Sequence, residues 1–417
     1  MTTNNSGPAP VEKKDTVKEV LNIFNNGYNR QVILYGPPGT SKTYSSTLIA
    51  ANILSGQEEI TDFEEASSIL VKNKDRFKLV QFHPSYNYED FVRGISISIK
   101  DKQPIYNPVN KVFGEIAHSA ALAYKKAAEE AAKKAAKKAA EDAKARNPGT
   151  DIETEANIKA EADINAEKFV LVIDEVNRAP LASVLGELIY GLEYRGEAIT
   201  TPYNKLKRLK ALSTEDISKD DEKADSPDDN VSQLVDTPLV VPRNLYIIGT
   251  MNTADRSIGS IDYAVRRRFA FVPLHADYDL ALNTWNNSQR SANIKNMAKN
   301  LSNDIKKLFG EKENLEDPSI DINDIAIGHT YLLYDHNKCS DDEAAKKYLE
   351  HRLEYQIKPI IEEYVKDGLL KESIGRLIQN GKCNIQLNDK DASGTSTGGE
   401  QTNGEKEVFE LEQEPES

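Results

Sequence analysis

Residues Gly36–Thr43 read GPPGTSKT and follow the apolar run QVILY at 31–35. A short buried strand entering a glycine-rich turn, then Lys-Thr, then a helical stretch, builds a cradle for phosphates. The loop Gly36, Pro37, Pro38, Gly39, Thr40 and Ser41 would wrap the phosphates with inward-facing backbone N–H groups, helped by the positive end of the following helix. Lys42 can reach the β- and γ-phosphates, and the Thr43 hydroxyl can ligate Mg²⁺. One position departs from the G-x-x-x-x-G-K-[ST] pattern: Ser41 stands where the second glycine is expected. Serine can adopt helical dihedrals at a helix entry, so the loop is expected to survive, with the Ser41 β-carbon tightening the approach of the phosphates.

A second half-site lies far downstream. FVLVI at 169–173 is an unbroken apolar run that ends in Asp174-Glu175. Such a run suits a strand buried on both faces. A carboxylate at its carboxyl end is placed to hold Mg²⁺, and the next can orient and deprotonate a water attacking a γ-phosphate. A third run, NLYIIG at 244–249, delivers TMNTADR at 250–256, where Asn252 can position that water. DYAVRRRF at 262–269 then places three adjacent arginines beside the apolar FAFV at 269–272. They are either a solvated basic patch or the source of an arginine finger acting on a neighbouring subunit.

These groups meet only if the strands that carry them lie parallel in one sheet, with their carboxyl ends at one edge. The expected fold is an α/β three-layer sandwich with a five-stranded parallel sheet, its strands near Val32–Tyr35, Leu79–Phe82, Val170–Asp174, Tyr246–Gly249 and Ala270–Pro273. After Pro273 apolar residues recur at three- and four-residue spacing, at 305–309, 344–355 and 357–370. That segment reads as a small helical domain.

The order GPPGTSKT, QFHPSYNYEDFVRG (81–94), LVIDEVNRAP (171–180), GTMNTADRSIGSIDYAVRRRFAFV (249–272) and IGHTYLL (327–333) resembles the AAA+ motor of McrB, the NTPase subunit of modification-dependent restriction systems. The resemblance covers roughly Leu21 to Leu370. It implies a P-loop NTPase that forms rings, usually hexamers, with nucleotide between subunits. It implies GTP or ATP as substrate with Mg²⁺, and a separate McrC-like nuclease subunit as partner, with DNA met through that partner or the ring pore. By motif position, Lys42 and Thr43 bind phosphate and metal, Asp174 and Glu175 act on Mg²⁺ and water, Asn252 is the sensor, and Asp255 belongs to the nucleotide-binding NTADR element. Arg178, Arg267 and Arg268 are candidates to act across a subunit boundary; the sequence does not rank them. The helical domain would be the lid that closes over nucleotide. No reader of methylated DNA is expected ahead of the loop at Gly36. Two other readings stay open: a MoxR- or dynein-like ATPase that remodels a protein complex, and a ring scaffold that binds nucleotide only to assemble.

The 417 residues allow two or three domains. With 67 acidic against 53 basic residues the net charge is −14, which argues against broad, non-specific nucleic-acid binding. No apolar stretch is long enough to span a bilayer, and the two cysteines, Cys339 and Cys383, form no metal-ligand spacing. A cytoplasmic protein without membrane contact is expected. The histidines His83 and His329 lie inside motifs without spaced partners and read as structural or orienting.

The expected organisation is a disordered N-terminus (1–15), the α/β domain (16–275), the helical lid (276–379) and a disordered acidic tail (380–417). Two insertions interrupt the α/β domain. Residues 124–167 include KKAAEEAAKKAAKKAAEDAKA, a solvated helix or one arm of a hairpin turning near 147–149, with Glu129–Lys133 and Glu130–Lys134 as i,i+4 pairs. Residues 213–236 are rich in Asp, Ser and Lys and read as a mobile loop. Val408–Leu411 is a short apolar island that can serve as a docking peptide.

Overall fold

Alternate residues of the apolar strands must point to opposite faces of the sheet, so each strand feeds two cores. The computed structural model has this arrangement; it describes residues 16–56, 60–100, 103–144, 155–203, 238–255 and 261–374. The expected N-terminal disorder, the loop at 213–236, the hairpin turn near 147–149, Cys383, the tail and its apolar island all fall outside the described residues.

The central sheet is formed by β1 (Gln31–Gly36), β2 (Phe77–Gln81), β5 (Phe169–Asp174), β8 (Leu245–Asn252) and β9 (Ala270–Pro273) in the order β2-β5-β8-β1-β9. Every pairing is parallel. The register sets Gly36 opposite Asn252 and Gln81 opposite Asp174, so all the carboxyl ends share one edge. The expected five-stranded parallel sandwich is therefore present, with strand bounds within two residues of the sequence reading except at the end of β8, which runs three residues past Gly249 to Asn252.

On one face Val32, Leu34, Val170, Val172, Tyr246 and Ile248 pack on α1 (Thr16–Asn25), α2 (Lys42–Ser55) and α3 (Phe63–Lys72). On the other, Ile33, Leu171, Ile173 and Ile247 pack on α4 (Tyr88–Phe91), α5 (Val112–Lys144), α7 (Leu181–Leu185) and α8 (Leu188–Glu193). Between α4 and α5 runs an antiparallel hairpin, β3 (Arg93–Lys100) with β4 (Gln103–Asn110), and a two-residue pair joins β6 (Ala198–Ile199) to β7 (Leu239–Val240). The hairpin at 93–110 has no counterpart among the sequence expectations.

The alanine-rich insertion begins differently from expectation. It is the outer part of α5, a 33-residue helix whose first turns are core: Phe113, Ile116, Ala117 and Ala120 are buried. Residue 124 is therefore mid-helix rather than a boundary. Helix α6 (Glu155–Asn165) packs against it, with Tyr124 Oη donating to Asp163 at 2.9 Å. Lys134 bridges to Glu161 of α6 at 3.1 Å, not to Glu130 of its own helix, because the facing helix offers a carboxylate in reach.

The third core belongs to the C-terminal helices α10 (Tyr278–Asn286), α11 (Ala292–Gly310), α12 (Asp342–Arg352) and α13 (Lys358–Lys366). A π-helical turn at Leu353–Ile357 joins the last two, and a short helix α9 (Tyr263–Arg266) precedes β9. Trp285 is the largest fully buried side chain and donates from Nε1 to the carbonyl of Leu332 at 2.7 Å. Helix α11 extends 13 residues further toward the N-terminus than the expected 305–309 segment, starting at a Ser291 cap. The last expected segment, 357–370, stays helical only to Lys366; after a turn at 367–368, Leu369 and Leu370 are buried, Leu370 bridging to Leu315. Among the described residues no helix is long and apolar enough to cross a membrane.

Candidate active site

The phosphate loop leaves the end of β1 and enters α2. Its first glycine is enforced by close approach: a β-carbon on Gly36 would sit 2.1 Å from the carbonyl oxygen of Leu274. Thr40 Oγ1 donates to the carbonyl of Pro37 at 2.9 Å and closes the turn. Lys42 is folded inward, donating to the carbonyls of Gly36 (2.9 Å) and Pro37 (2.7 Å). Burial brings its pKa down to about 8, against the opposing pull of Glu175 and Asp174. Those carboxylates, a hundred and thirty residues away in the chain, thus lie close enough to bias the loop lysine.

Ser41 does not take the helical dihedrals expected at a helix entry. Its φ of 64° and ψ of 26° lie in the left-handed region, the conformation for which this position normally carries glycine. Its Oγ lies 2.9 Å from Nε2 of the buried His329.

Asp174 and Glu175 end β5. Thr250, on the neighbouring β8, bridges them: its hydroxyl donates to Asp174 Oδ1 at 2.5 Å and accepts the Glu175 backbone N–H at 3.1 Å. Glu175 is the second non-glycine residue with positive φ among the described residues (φ 55°, ψ 51°). Strain of this kind at a carboxylate persists only where neighbours hold it. One carboxylate oxygen, Oε2, is buried without a hydrogen-bond partner. Burial raises the Glu175 pKa from its ordinary value, with Arg178 opposing and Asp174 and Asp255 adding to the rise.

Arg178, three residues on, stands 3.9 Å from both Glu175 and Asp255. It links the strand-end carboxylate to the element after β8. Asn252, at the tip of β8, accepts the backbone N–H of Ala254 on its side chain at 3.2 Å, and its carbonyl accepts from Asn177 Nδ2 at 3.0 Å. Thr253 N–H donates to the Gly36 carbonyl at 3.1 Å, which ties this element to the phosphate loop. Gly36 to Thr43, Asp174, Glu175, Arg178, Asn252 and Asp255 therefore share one edge of the sheet.

Arg267 and Arg268 lie at the other edge. Gln31, the first residue of β1, donates from Nε2 to the Arg268 carbonyl at 2.6 Å, so six residues of strand, roughly 20 Å, separate them from the phosphate loop. There they line a cavity of about 500 Å³ with Arg30, Arg195, Arg243 and Glu193. Arg268 is largely buried, donating to Glu193 at 2.5 Å and to the Ala264 carbonyl. Arg267 keeps 66 % of its side chain exposed and meets Glu193 only at 3.5 Å.

Thr43 and Asp174 stand at the same edge of the sheet and carry hard oxygens of the kind Mg²⁺ takes, so these residues would suit such an ion. Among the described residues no cluster of three or more His, Cys, Asp or Glu is arranged to hold a metal by itself. Sequence reasoning passed over Thr250 and the Arg178–Asp255 contact. The signal for Thr250 was its place two residues before Asn252 on a strand bound to sit beside β5.

The helical unit contacts the loop directly. Gly328 N–H donates to the Pro38 carbonyl at 2.9 Å, and Thr330 N–H to the Gly39 carbonyl at 3.0 Å. A β-carbon on Gly328 would strike the Gly39 backbone at 2.0 Å, and one on Gly39 would strike the Tyr331 ring at 2.4 Å.

Residues 31–269, from the start of β1 to the foot of β9, match the model of the AAA domain, dynein-related subfamily. The chain is 28% identical over 267 residues to the type IV methyl-directed restriction enzyme EcoKMcrB subunit of Escherichia coli K12, covering 64% of this chain and 38% of that protein. It is 25% identical over 282 residues to the type II restriction enzyme BsuMI component YdiS of Bacillus subtilis 168, covering 67% of this chain and 66% of that one. The chain thus spans less than two thirds of the length of either relative. It belongs to the AAA family, and its likeness is to the McrB-type NTPases.

Proposed function

We propose that this member of the dynein-related AAA family hydrolyses GTP or ATP with Mg²⁺ and drives a companion nuclease subunit in a McrBC-like restriction complex. The observation that carries the hydrolytic half is Glu175, a partly desolvated carboxylate with a buried oxygen that accepts no hydrogen bond, pinned by Thr250 at its backbone N–H within electrostatic reach of Lys42. The names of both relatives, a subunit and a component of restriction enzymes, support the other half.

Phosphates arriving at the loop would draw Lys42 off the Gly36 and Pro37 carbonyls and restore its full charge. Thr43 and Asp174 would hold Mg²⁺, which neutralises phosphate charge when bound. Asn252 and Glu175 would orient the attacking water, and Glu175 takes its proton on the carboxylate. Its raised pKa makes it a stronger base than an exposed glutamate. Arg178, held between Glu175 and Asp255, orients that carboxylate within the same subunit. Arg267 is the arginine free to act in trans, because it is exposed at the edge remote from its own phosphate loop. A ring of subunits, of which hexamers are the usual form, would bring one subunit's Arg267 edge to the next subunit's nucleotide.

Phosphate release from GTP and from ATP, measured side by side with and without the companion subunit, tests this reading. E175Q should bind nucleotide and lose turnover by about 10²-fold or more. Turnover unchanged in E175Q would remove Glu175 from the role of base, whereas nucleotide bound by the parent chain without phosphate release would make the non-hydrolysing scaffold the better account. The dynein-related family match favours a second reading, an ATPase that remodels a protein complex without a nuclease. Strict preference for ATP and no response to a companion nuclease would select it.

A further inference from the structure

A serine in the left-handed region at the heart of a phosphate loop needs something to keep it there. Ser41 is the residue that precedes Lys42, and its backbone turn sets where the lysine and the first N–H groups of α2 point. The partner is His329, buried in the 3₁₀ turn His329–Leu332 of the helical unit. His329 Nδ1 accepts the backbone N–H of Asp277 at 3.1 Å. An imidazole that accepts at Nδ1 is neutral and carries its proton on Nε2. Nε2–H therefore donates to Ser41 Oγ across 2.9 Å. On either side of this bond the Gly328 and Thr330 N–H groups grip the carbonyls of Pro38 and Gly39.

We propose that His329 is a positioning residue for the phosphate loop: its Nε2–H holds Ser41 in the left-handed turn that glycine would adopt unaided, so that nucleotide affinity depends on where the helical unit sits. The inference rests on the nucleotide-binding reading given above. Ser41 and His329 act as one unit, 288 residues apart in the chain. The loop of this chain is competent only while the helical unit is docked, whereas a glycine at 41 would free the loop from that requirement.

The test uses the full chain, with binding of a fluorescent triphosphate analogue and steady-state hydrolysis of GTP and ATP. In H329N the amide oxygen can still accept from Asp277 while the reach to Ser41 is lost. The expected result is a rise in Kd and KM of about tenfold for H329N, the scale of one buried hydrogen bond, with kcat changing far less. S41A, which keeps the β-carbon and loses the acceptor, should bind about tenfold more weakly than S41G. Adding H329N to S41G should raise KM by less than about twofold, because glycine needs no hold on its φ. Equal KM for S41A and S41G, or the same tenfold cost of H329N in both backgrounds, overturns the proposal and leaves nucleotide binding intact. Failure of the parent chain to bind either nucleotide overturns the proposed function and the positioning role together.

Discussion

Replacing Thr250 by valine keeps the volume and branching of a side chain that is only 1 % exposed, and removes one hydroxyl. That hydroxyl is both the donor to Asp174 Oδ1 and the acceptor for Glu175 N–H. Loss of a hydrogen bond to a charged group costs about 1.5–3 kcal/mol, and a buried N–H left unpaired about 1–3 kcal/mol. A total near 3 kcal/mol should lower the melting temperature by roughly 5–10 °C. The catalytic effect has a separate origin. Glu175 occupies left-handed dihedrals, which cost about 1–3 kcal/mol for a residue with a side chain. Without its N–H anchor it relaxes and carries the carboxylate away from the water. A kcat reduced about 10–100-fold corresponds to about 1.4–2.7 kcal/mol, within the range of that strain. KM should stay within about threefold, since no loop residue between Gly36 and Thr43 bonds to Thr250. Phosphate release and thermal melts on T250V and T250S settle the matter. The serine variant keeps the hydroxyl and should recover most of kcat. If T250V melts lower yet turns over within twofold of the parent, Thr250 is only a packing residue and the pinning of Glu175 is refuted.

Three further outcomes follow from the same geometry. Lys42, with a pKa brought down to about 8, must be charged to meet phosphate, so kcat/KM should fall as pH rises through about 8; bound triphosphate favours the charged form and should move the limb in kcat to higher pH. The acid limb, set by the raised Glu175, should lie above the ordinary carboxylate value, and K42R, whose guanidinium stays charged, should lack the alkaline limb in whatever activity it retains; a pH profile flat from 7 to 9 would contradict the assignment. R267A should lose turnover by about 10³-fold with unchanged melting, whereas R268A, whose guanidinium is buried against Glu193 and the Ala264 carbonyl, should also melt lower. Mixing R267A with E175Q should restore part of the rate by building sites with an intact half from each; no recovery would show that Arg267 does not act in trans.

The strands were legible because FVLVI and NLYIIG are apolar on both faces, which only a sheet covered on two sides requires. The grouping of Lys42, Asp174, Glu175 and Asn252 followed from parallel pairing alone. What stayed hidden was the conformation that tertiary contacts impose against local preference. Nothing local to Glu175 announces positive φ, and at Ser41 the sole signal was the glycine the loop pattern expects there; both are held by partners remote in sequence, His329 and Thr250. The β3–β4 hairpin did carry its signal, with Ile95, Ile97 and Ile99 alternating with Ser96 and Ser98, but a motif reading of the preceding QFHPSYNYEDF drew attention away from period two. The early turns of α11 were likewise readable: Ile294, Met297, Ala298 and Leu301 follow a 3-4-spaced stripe that the abundance of Asn and Lys obscured.

The division of charge between the two edges of the sheet decides what one chain can do alone. At the carboxyl edge the half-buried cation Lys42 faces Asp174 and Glu175, and Arg178 is already shared between Glu175 and Asp255. On the proposed reading such an edge would hold a magnesium triphosphate, and its arginine Arg178 is already engaged by two carboxylates. At the amino edge Arg30, Arg195, Arg243, Arg267 and Arg268 outnumber Asp163 and Glu193 around one cavity. Like charges so concentrated repel one another, and an anion brought in from outside relieves that repulsion. The two edges are complementary and separated by the length of β1, so neither can satisfy the other within a subunit. In the ring proposed above, contact between copies would pair them, so turnover per subunit should rise with protein concentration while nucleotide binding at the phosphate loop should not.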